Sequence, residues 1–313
     1  MVLVSVVMPV LNGEKFISES IKSILSQTIN DIELIIVDDG STDGTGKIIQ
    51  SITDDRIIYR RLEKNMGTAT ATNIGHEIAC GKYIAHMDAD DIALPHRLKT
   101  QALFLAKFPR VDVLGGYMGL LFGTQPGGVA TAPTSDGEIK ANFLSGMANI
   151  YNPTAMFRHS FLKEKKLKCD PTLRSAFDWG FWVQAMFQGA RFANLDQVIL
   201  AYRVHEGQQS KDLFPFRNEL SRIRLSILEL FYPNLTLEER ITVEPLLQVS
   251  SPPSLSIVQV QVGLEVINKA LTYKIQSRLK ENRQKLQEFL EVRIDAIKRT
   301  LEKHFDQKTP VEK

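Results

Sequence analysis

Residues 83–91 read Tyr83-Ile84-Ala85-His86-Met87-Asp88-Ala89-Asp90-Asp91, an apolar run closed by three carboxylates in four positions. Residues 83–87 predict a strand, and the acidic tip at its carboxyl end is where an open α/β sheet binds its ligands. Alternate carboxylates there present hard oxygen ligands to Mg²⁺ or Mn²⁺, ions that keep positions open for substrate phosphates. A plainer role, capping the helix that follows Pro95, needs only one of the three carboxylates.

Working back towards the start, the same punctuation recurs. Residues 3–8 are β-branched and almost continuously apolar, as in a strand buried on both faces, and the run stops at Pro9. Ile17, Ile21, Ile24 and Leu25 form one stripe of a helix over 15–26. Residues 33–37 predict a second strand, followed by the turn Asp38-Asp39-Gly40-Ser41-Thr42-Asp43-Gly44, in which residues 41–43 are placed to cap a helix reaching Ser51. A third strand over 57–61 and a helix over 69–79 complete the pattern. Strand and helix alternate with short loops, which predicts a doubly wound, mostly parallel sheet. Residues 9–12, 38–41 and 88–91 are then neighbouring strand tips, and five carboxylates gather at one edge. Asp38-Asp39 suits either a self-bonded turn or a carboxylate that holds a nucleobase or ribose.

Forward of Pro95, a helix is predicted to Lys107, then Gly-rich strands and loops over 115–128. Asp178 opens a helix carrying Trp179, Trp182, Val183, Met186 and Phe187, and a strand over 198–202 ends in Arg203-Val204-His205. Asp178 suits a helix cap or a catalytic carboxylate, the tryptophans a core or a sugar platform, and His205 a structural role or a metal or phosphate contact. Beyond about 214 the pattern is helical, with a Pro/Ser break at 250–256. It ends in a stripe of Leu286, Leu290, Ile294, Ile297 and Leu301.

Composition removes several classes. The 313 residues are 43% hydrophobic and 24% charged, the balance of a folded globular chain. A net charge of +2 gives no ground for a nucleic-acid partner. Two cysteines, Cys80 and Cys169, exclude a disulfide framework. No apolar run approaches the roughly 18 residues of a membrane span, and the start lacks a secretory leader, so a cytoplasmic setting is expected.

The elements Pro9-Val10-Leu11-Asn12, Val37-Asp38-Asp39-Gly40-Ser41-Thr42-Asp43, Asn65-Met66-Gly67 with Asn73-Ile74-Gly75, Gly81-Lys82-Tyr83-Ile84, Asp88-Ala89-Asp90-Asp91 and Pro95-His96-Arg97-Leu98 resemble, in order, those of family 2 glycosyltransferases with the GT-A fold. Asn152-Pro153-Thr154, Asp178-Trp179 and Tyr202-Arg203-Val204-His205 extend the likeness more loosely.

The resemblance implies a GT-A-like α/β fold with a Rossmann-like nucleotide-binding half. A catalytic domain over 1–213, divided at about 112 into donor and acceptor halves, would precede a helical region over 214–313. It implies inverting transfer of a single sugar from a nucleotide-sugar donor, commonly UDP-linked, to the hydroxyl of a carbohydrate or glycolipid acceptor in surface polysaccharide or glycolipid assembly.

Carried over by position, Pro9, Val10, Leu11, Asn12, Asp38, Asp39, Asn73, Asp88, Ala89 and Asp90 would contact the nucleotide sugar. Asp90, Asp88 and His205 would hold the divalent Mg or Mn ion, and Asp178 would be the catalytic base. Two positions differ from the family's usual pattern: Thr72 stands where a basic residue is common, and Phe177 where an acidic residue precedes the base.

Two other readings fit parts of the sequence. A catalytically silent nucleotide-sugar-binding subunit would need Asp39 but not Asp178, and a phosphatase of the haloacid dehalogenase type would use Asp88-Ala89-Asp90 as its nucleophile strand. The basic C-terminal helix suits packing or a homodimer, and secondarily peripheral contact with an anionic membrane surface.

Overall fold

The computed structural model describes residues 2–145, 149–208, 213–248 and 255–272, and, within 285–299, residues 285, 287, 288, 290–292, 294–296 and 299. Met1–Ser135 with Ile150–Glu219 forms one compact unit, and Asp136–Asn149 with Leu220–Lys313 a second. The segment Asp136–Asn149 thus belongs with the later helices although it interrupts the first unit in sequence.

The first unit begins β1 (Val4–Val10), α1 (Ile17–Leu25), β2 (Ile32–Asp38), α2 (Thr45–Ser51), β3 (Ile57–Arg61), α3 (Thr68–Ile78), β4 (Tyr83–His86), β5 (Ile92–Ala93), α4 (Arg97–Lys107), β6 (Val113–Phe122) and β7 (Gln125–Ala130). After α5 (Asp136–Ser145) of the second unit come β8 (Met156–Arg158), α6 (His159–Lys165), α7 (Phe177–Phe187) and β9 (Phe192–Val204). The strands form one sheet in the order β3-β2-β1-β4-β8-β6-β9-β5, with β7 paired to β6. Pairing is parallel from β3 to β4 and again between β6 and β9, and β8 runs antiparallel between β4 and β6. The predicted parallel half is therefore present and the sheet continues as a mixed one.

The apolar runs bury as their patterns require. β2 is buried along its whole length, and Ile17, Ile21 and Ile24 of α1 are inaccessible. Glu33 is tolerated inside β2 because its carboxylate accepts from Ser5 Oγ and from Cys80 N, the latter at 2.8 Å. α3 lies close on β1: a Cβ on Gly75 would stand 2.4 Å from Val7 Cγ1.

Three expectations are corrected. β1 does not stop at Pro9 but runs on to Val10, with Pro9 beside Val37. The missing N–H of Pro9 faces β4, whose pairing with β1 has ended at Val7 and His86, so no ladder bond is lost. The residues 41–43 do not cap α2 through the N-cap position, which is Gly44 with no side-chain bond; Asp43 Oδ1 instead accepts from Thr45 N at 3.0 Å. The strand expected over 198–202 is the second half of β9, which begins at Phe192 and crosses register irregularities opposite Gly116 and Tyr117.

In the second unit every described element is helical: α5, the later part of α8 (Leu213–Phe231), α9 (Leu237–Leu247) and α10 (Ile257–Thr272). Thr236 and Glu239 form a reciprocal capping box at the start of α9. Arg224 Nε meets Glu244 Oε1 at 2.5 Å, a buried ion pair joining α8 to α9. Of the predicted C-terminal stripe, Leu290 and Ile294 are buried, while Leu286, Ile297 and Leu301, like most of the 250–256 break, lie outside the described residues. Among the described residues no helix is long and apolar enough to cross a membrane.

Candidate active site

The tips of β1 and β2 are tied into one rim. Asn12 takes the left-handed conformation, φ 52°, which an Asn tolerates better than most side chains. Its backbone N–H donates to Ser41 Oγ at 2.9 Å and its Oδ1 accepts from Thr42 N at 2.8 Å. Gly40, φ 78°, makes the turn possible, since a Cβ there would stand 2.7 Å from the Lys64 carbonyl carbon.

Asp38 is inaccessible: Oδ1 accepts from Ser41 N at 2.8 Å, and Oδ2 accepts from Tyr59 Oη at 2.7 Å. Asp39 receives Met66 N at 2.7 Å and Gly67 N at 2.9 Å on its two oxygens. Asn73 grips the backbone of Cys169 at both ends, Nδ2 to O and N to Oδ1, each at 2.8 Å. Thr72 turns inward to the Thr68 carbonyl, 2.8 Å away.

The strand tip after β4 is organised differently. Asp88, Asp90 and Asp91 bring one carboxylate oxygen each within 4.8 Å of one another. Asp91 is fully buried; its Oδ1 accepts from Arg203 N at 2.9 Å, and its Oδ2 takes no hydrogen bond. Burial, then the Asp90 and Asp178 carboxylates, push the Asp88 carboxyl up to about 8 against the opposing pull of Arg97. Burial and the charges of Asp88 and Asp90 likewise hold Asp91 well above the usual carboxylate range.

Two arginines support this cluster. Arg97 is buried, donates from Nη2 to the His86 carbonyl at 2.7 Å, and is pulled by burial down to about 10 in spite of Asp91 and Asp88. Arg203 donates from Nε to the Asp90 carbonyl at 2.9 Å and from Nη2 to Glu19 Oε2 at 2.6 Å, while its guanidinium lies 4.6 Å from the centre of the Phe16 ring.

His205 Nε2 sits 2.9 Å from Asp90 Oδ2, and Gly207 N donates to His205 Nδ1 at 3.2 Å. The Gly207 bond leaves the ring proton on Nε2, which donates to Asp90; ligation of a metal through Nε2 requires that proton to move to Nδ1. The donor set fits a hard divalent cation: carboxylate oxygens, one buried oxygen without a hydrogen bond, and like charges that a cation would neutralise.

Asp178 occupies the second helical position of α7, after the N-cap Ala176, so it is not the cap itself. Its Oδ1 accepts from Trp179 N at 2.8 Å. Burial raises its carboxyl to about 6, with the backbone bonds opposing. Trp182 is buried and packs edge-on against Phe157 and Phe181, so it serves the core.

Among the residues singled out in the sequence, Asp88, Asp90, Asp178 and His205 interact directly or through their charges. Asp38 and Asn73 spend their polar atoms on the protein itself. The sequence marks Arg97 and Arg203 only as members of motifs, and Glu19 not at all. A buried cation beneath a carboxylate cluster leaves no local pattern to read.

The Glycosyl transferase family 2 profile matches residues 5–164. An uncharacterized glycosyltransferase of Haemophilus influenzae is 32% identical over 230 residues, covering 70% of this chain and 71% of that one. The UDP-Glc:alpha-D-GlcNAc-diphosphoundecaprenol beta-1,3-glucosyltransferase WfaP of Escherichia coli is 31% identical, covering 68% of this chain and 82% of its own.

Among solved structures, S. aureus TarS 1-349 in complex with UDP-GlcNAc aligns with a TM-score of 0.65 at 20% identity, covering 99% of this chain and 93% of that one. The Pyrobaculum calidifontis mannosyltransferase PcManGT, in complex with GDP-Man and Mn²⁺, aligns with a TM-score of 0.55 at 15% identity, covering 94% of this chain and 86% of that one. The likeness to these structures establishes a GT-A fold.

Proposed function

The chain belongs to glycosyl transferase family 2 and takes its sugar from a nucleotide donor, and on that premise we propose that it is an inverting enzyme in which Asp178 is the base. The observation that carries this reading is the pairing of two unlike carboxylate environments. Burial lifts the Asp178 carboxyl to about 6, and its charge adds to the upward push on Asp88 in the acidic cluster. A base that titrates near the working pH is both deprotonated and basic enough to take a hydroxyl proton.

In the proposed step the acceptor oxygen attacks the anomeric carbon as its proton passes to Asp178 Oδ2, the oxygen not engaged by Trp179. The bond from that carbon to the diphosphate oxygen breaks, and its electron pair leaves with the nucleoside diphosphate. One displacement inverts the configuration. Asp88, Asp90 and, after the tautomer change, His205 would hold Mg²⁺ or Mn²⁺, which when bound neutralises charge on the diphosphate. The rim of Pro9, Val10, Leu11 and Asn12, with Asp39, would receive the base. Asp38 would act from below by fixing Ser41, and Asn73 by fixing Cys169. Ala89 would lie along the diphosphate.

WfaP's name supports UDP as the nucleotide and a lipid diphosphate-linked sugar as the acceptor, a place in surface glycolipid or polysaccharide assembly. Such an acceptor would bring the enzyme to a membrane surface. Calorimetric titration of UDP and GDP with and without Mn²⁺ tests the donor site: UDP binding that needs both Mn²⁺ and Asp90 supports the reading, and indifference to Asp90→Asn removes it. The phosphatase alternative falls with the family assignment.

A further inference from the structure

Three consecutive backbone N–H groups just ahead of the base converge on one distant carboxylate. Arg174 N donates to Glu219 Oε1 at 2.8 Å, while Ser175 N and Ala176 N donate to Glu219 Oε2 at 2.9 and 2.8 Å. Glu219 lies on α8, more than forty positions along the chain, within the same compact unit as α7. Successive N–H groups turned to one side form an anion-binding concavity, and a carboxylate at a helix N-terminus is favoured by the partial positive charge there.

The local sequence offers nothing equivalent. The N-cap Ala176 makes no side-chain cap bond, and Phe177 beside it is apolar. Without Glu219 the first turn of α7 would face its lead-in with orphan donors, which destabilises a helix end.

Resting on the assignment of Asp178 as base, we propose that Glu219 is its positioning residue, fixing through the backbone of 174–176 the turn from which the Asp178 carboxylate projects. The mechanical path is short. Ala176 N is held by Glu219, Ala176 O accepts from Gly180 N at 2.9 Å to close the first turn, and Asp178 stands within that turn with Oδ1 pinned by Trp179 N. An ionised carboxylate satisfies all three donors at once. A glutamine in its place turns an NH₂ group towards an N–H, and an alanine offers no acceptor at all.

The experiment compares wild type, Glu219→Gln, Glu219→Ala, Asp178→Asn and the Asp178→Asn/Glu219→Gln double variant in the full chain. Amide hydrogen exchange at 174–176, UDP affinity with Mn²⁺, and nucleotide release are measured on each. The substrate is whichever of UDP-glucose, UDP-N-acetylglucosamine and GDP-mannose turns over fastest.

Glu219→Gln and Glu219→Ala are expected to speed exchange at 174–176 in that order and to leave UDP affinity unchanged. They should lower kcat about 10- to 100-fold at constant donor KM, as a small misplacement of a reacting group does. The double variant should be no slower than Asp178→Asn alone, because two residues acting as one unit are not additive.

Unchanged exchange at 174–176, or faster exchange with kcat intact, overturns the proposal, and so does an additive double variant. If Asp178→Asn alone leaves kcat intact, the base assignment itself has failed; the exchange result then still decides whether Glu219 holds the turn. Glu219→Gln, nearly isosteric, serves where Glu219→Ala does not fold.

Discussion

Two groups of aspartates stand at the strand tips on either side of β1 in one sheet and behave in opposite ways. After β2, the oxygens of Asp38 and Asp39 are engaged by backbone N–H groups and the Tyr59 hydroxyl. Asp43 is drawn below the usual carboxylate range: burial raises it, and the bonds from Thr45 and Glu14 outweigh that. After β4, the carboxylates face each other, one buried oxygen goes without a bond, and Asp88 and Asp91 are pushed up. The same residue type thus builds a finished, rigid edge in one place and an uncompensated one beside it. The first can be understood from the protein alone, and the second calls for a ligand.

The sharpest way to break this contrast is at the proposed base. Asp178→Asn should lower kcat about 100- to 10,000-fold, the usual span for losing a general base, with UDP affinity unchanged by calorimetry. Comparable loss of affinity would mean that Asp178 belongs to the donor site.

Next in size, Asp90→Asn should weaken Mn²⁺-supported UDP binding more than about tenfold without lowering the melting temperature. Asp38→Ala, at the finished edge, should cost stability first. It strands the Ser41 N–H and the Tyr59 hydroxyl, and chemical denaturation should read a loss of about 2 kcal/mol. If Asp90→Asn destabilises the fold and Asp38→Ala does not, the two edges have been assigned the wrong way round.

A smaller effect follows from pH. The folded Asp88 carboxyl titrates at about 8 against an ordinary 3.8, so between those values the folded state holds a proton that the unfolded state has released. Stability therefore falls as pH rises through that window, by at most about 1.4 kcal/mol per pH unit for each such proton. The buried His86, lowered by burial to about 4, and His76, held well below its usual range by burial and then by His86, act in the opposite sense below pH 6.5, where the unfolded imidazoles take up protons. In chelator, the melting temperature should rise as pH is lowered from 8.5 to 6.5. Asp88→Asn should flatten that rise, and Mn²⁺ at pH 8 should restore the loss in wild type but not in Asp90→Asn. A flat wild-type profile would show that the cluster is not under electrostatic strain.

Much of the frame was legible in the sequence because strands buried on both faces write themselves as unbroken apolar runs, which is how β1, β2 and β4 could be read. β5 and β8, of two and three residues, are too short to carry a period. The start of β9 was hidden because Asp196 and Gln197 are exposed where its register with β6 shifts. At the site, the aspartates announced themselves, but not which of them would be consumed internally. That depends on backbone donors such as Met66 N, 27 positions from Asp39. Glu219 acts across a still larger separation, 43 to 45 positions, again through backbone atoms, and no spacing rule encodes such contacts.

The segment leading to α7 hangs from two hooks, Asn73 at Cys169 and Glu219 at residues 174–176, and both grip main-chain atoms only. Lys168, Asp170, Thr172 and Arg174 between and beside them are exposed, and their side-chain bonds, Lys168 to Glu77 and Thr172 to Asp170, involve neither hook. Their identities can be exchanged without loosening the hooks, provided that proline, which lacks the N–H, is kept out of Cys169 and of 174–176. For a protein engineer this makes the stretch a natural place to diversify in search of new acceptors, and for a lineage it is a surface free to drift while the chemistry beneath it stays in register.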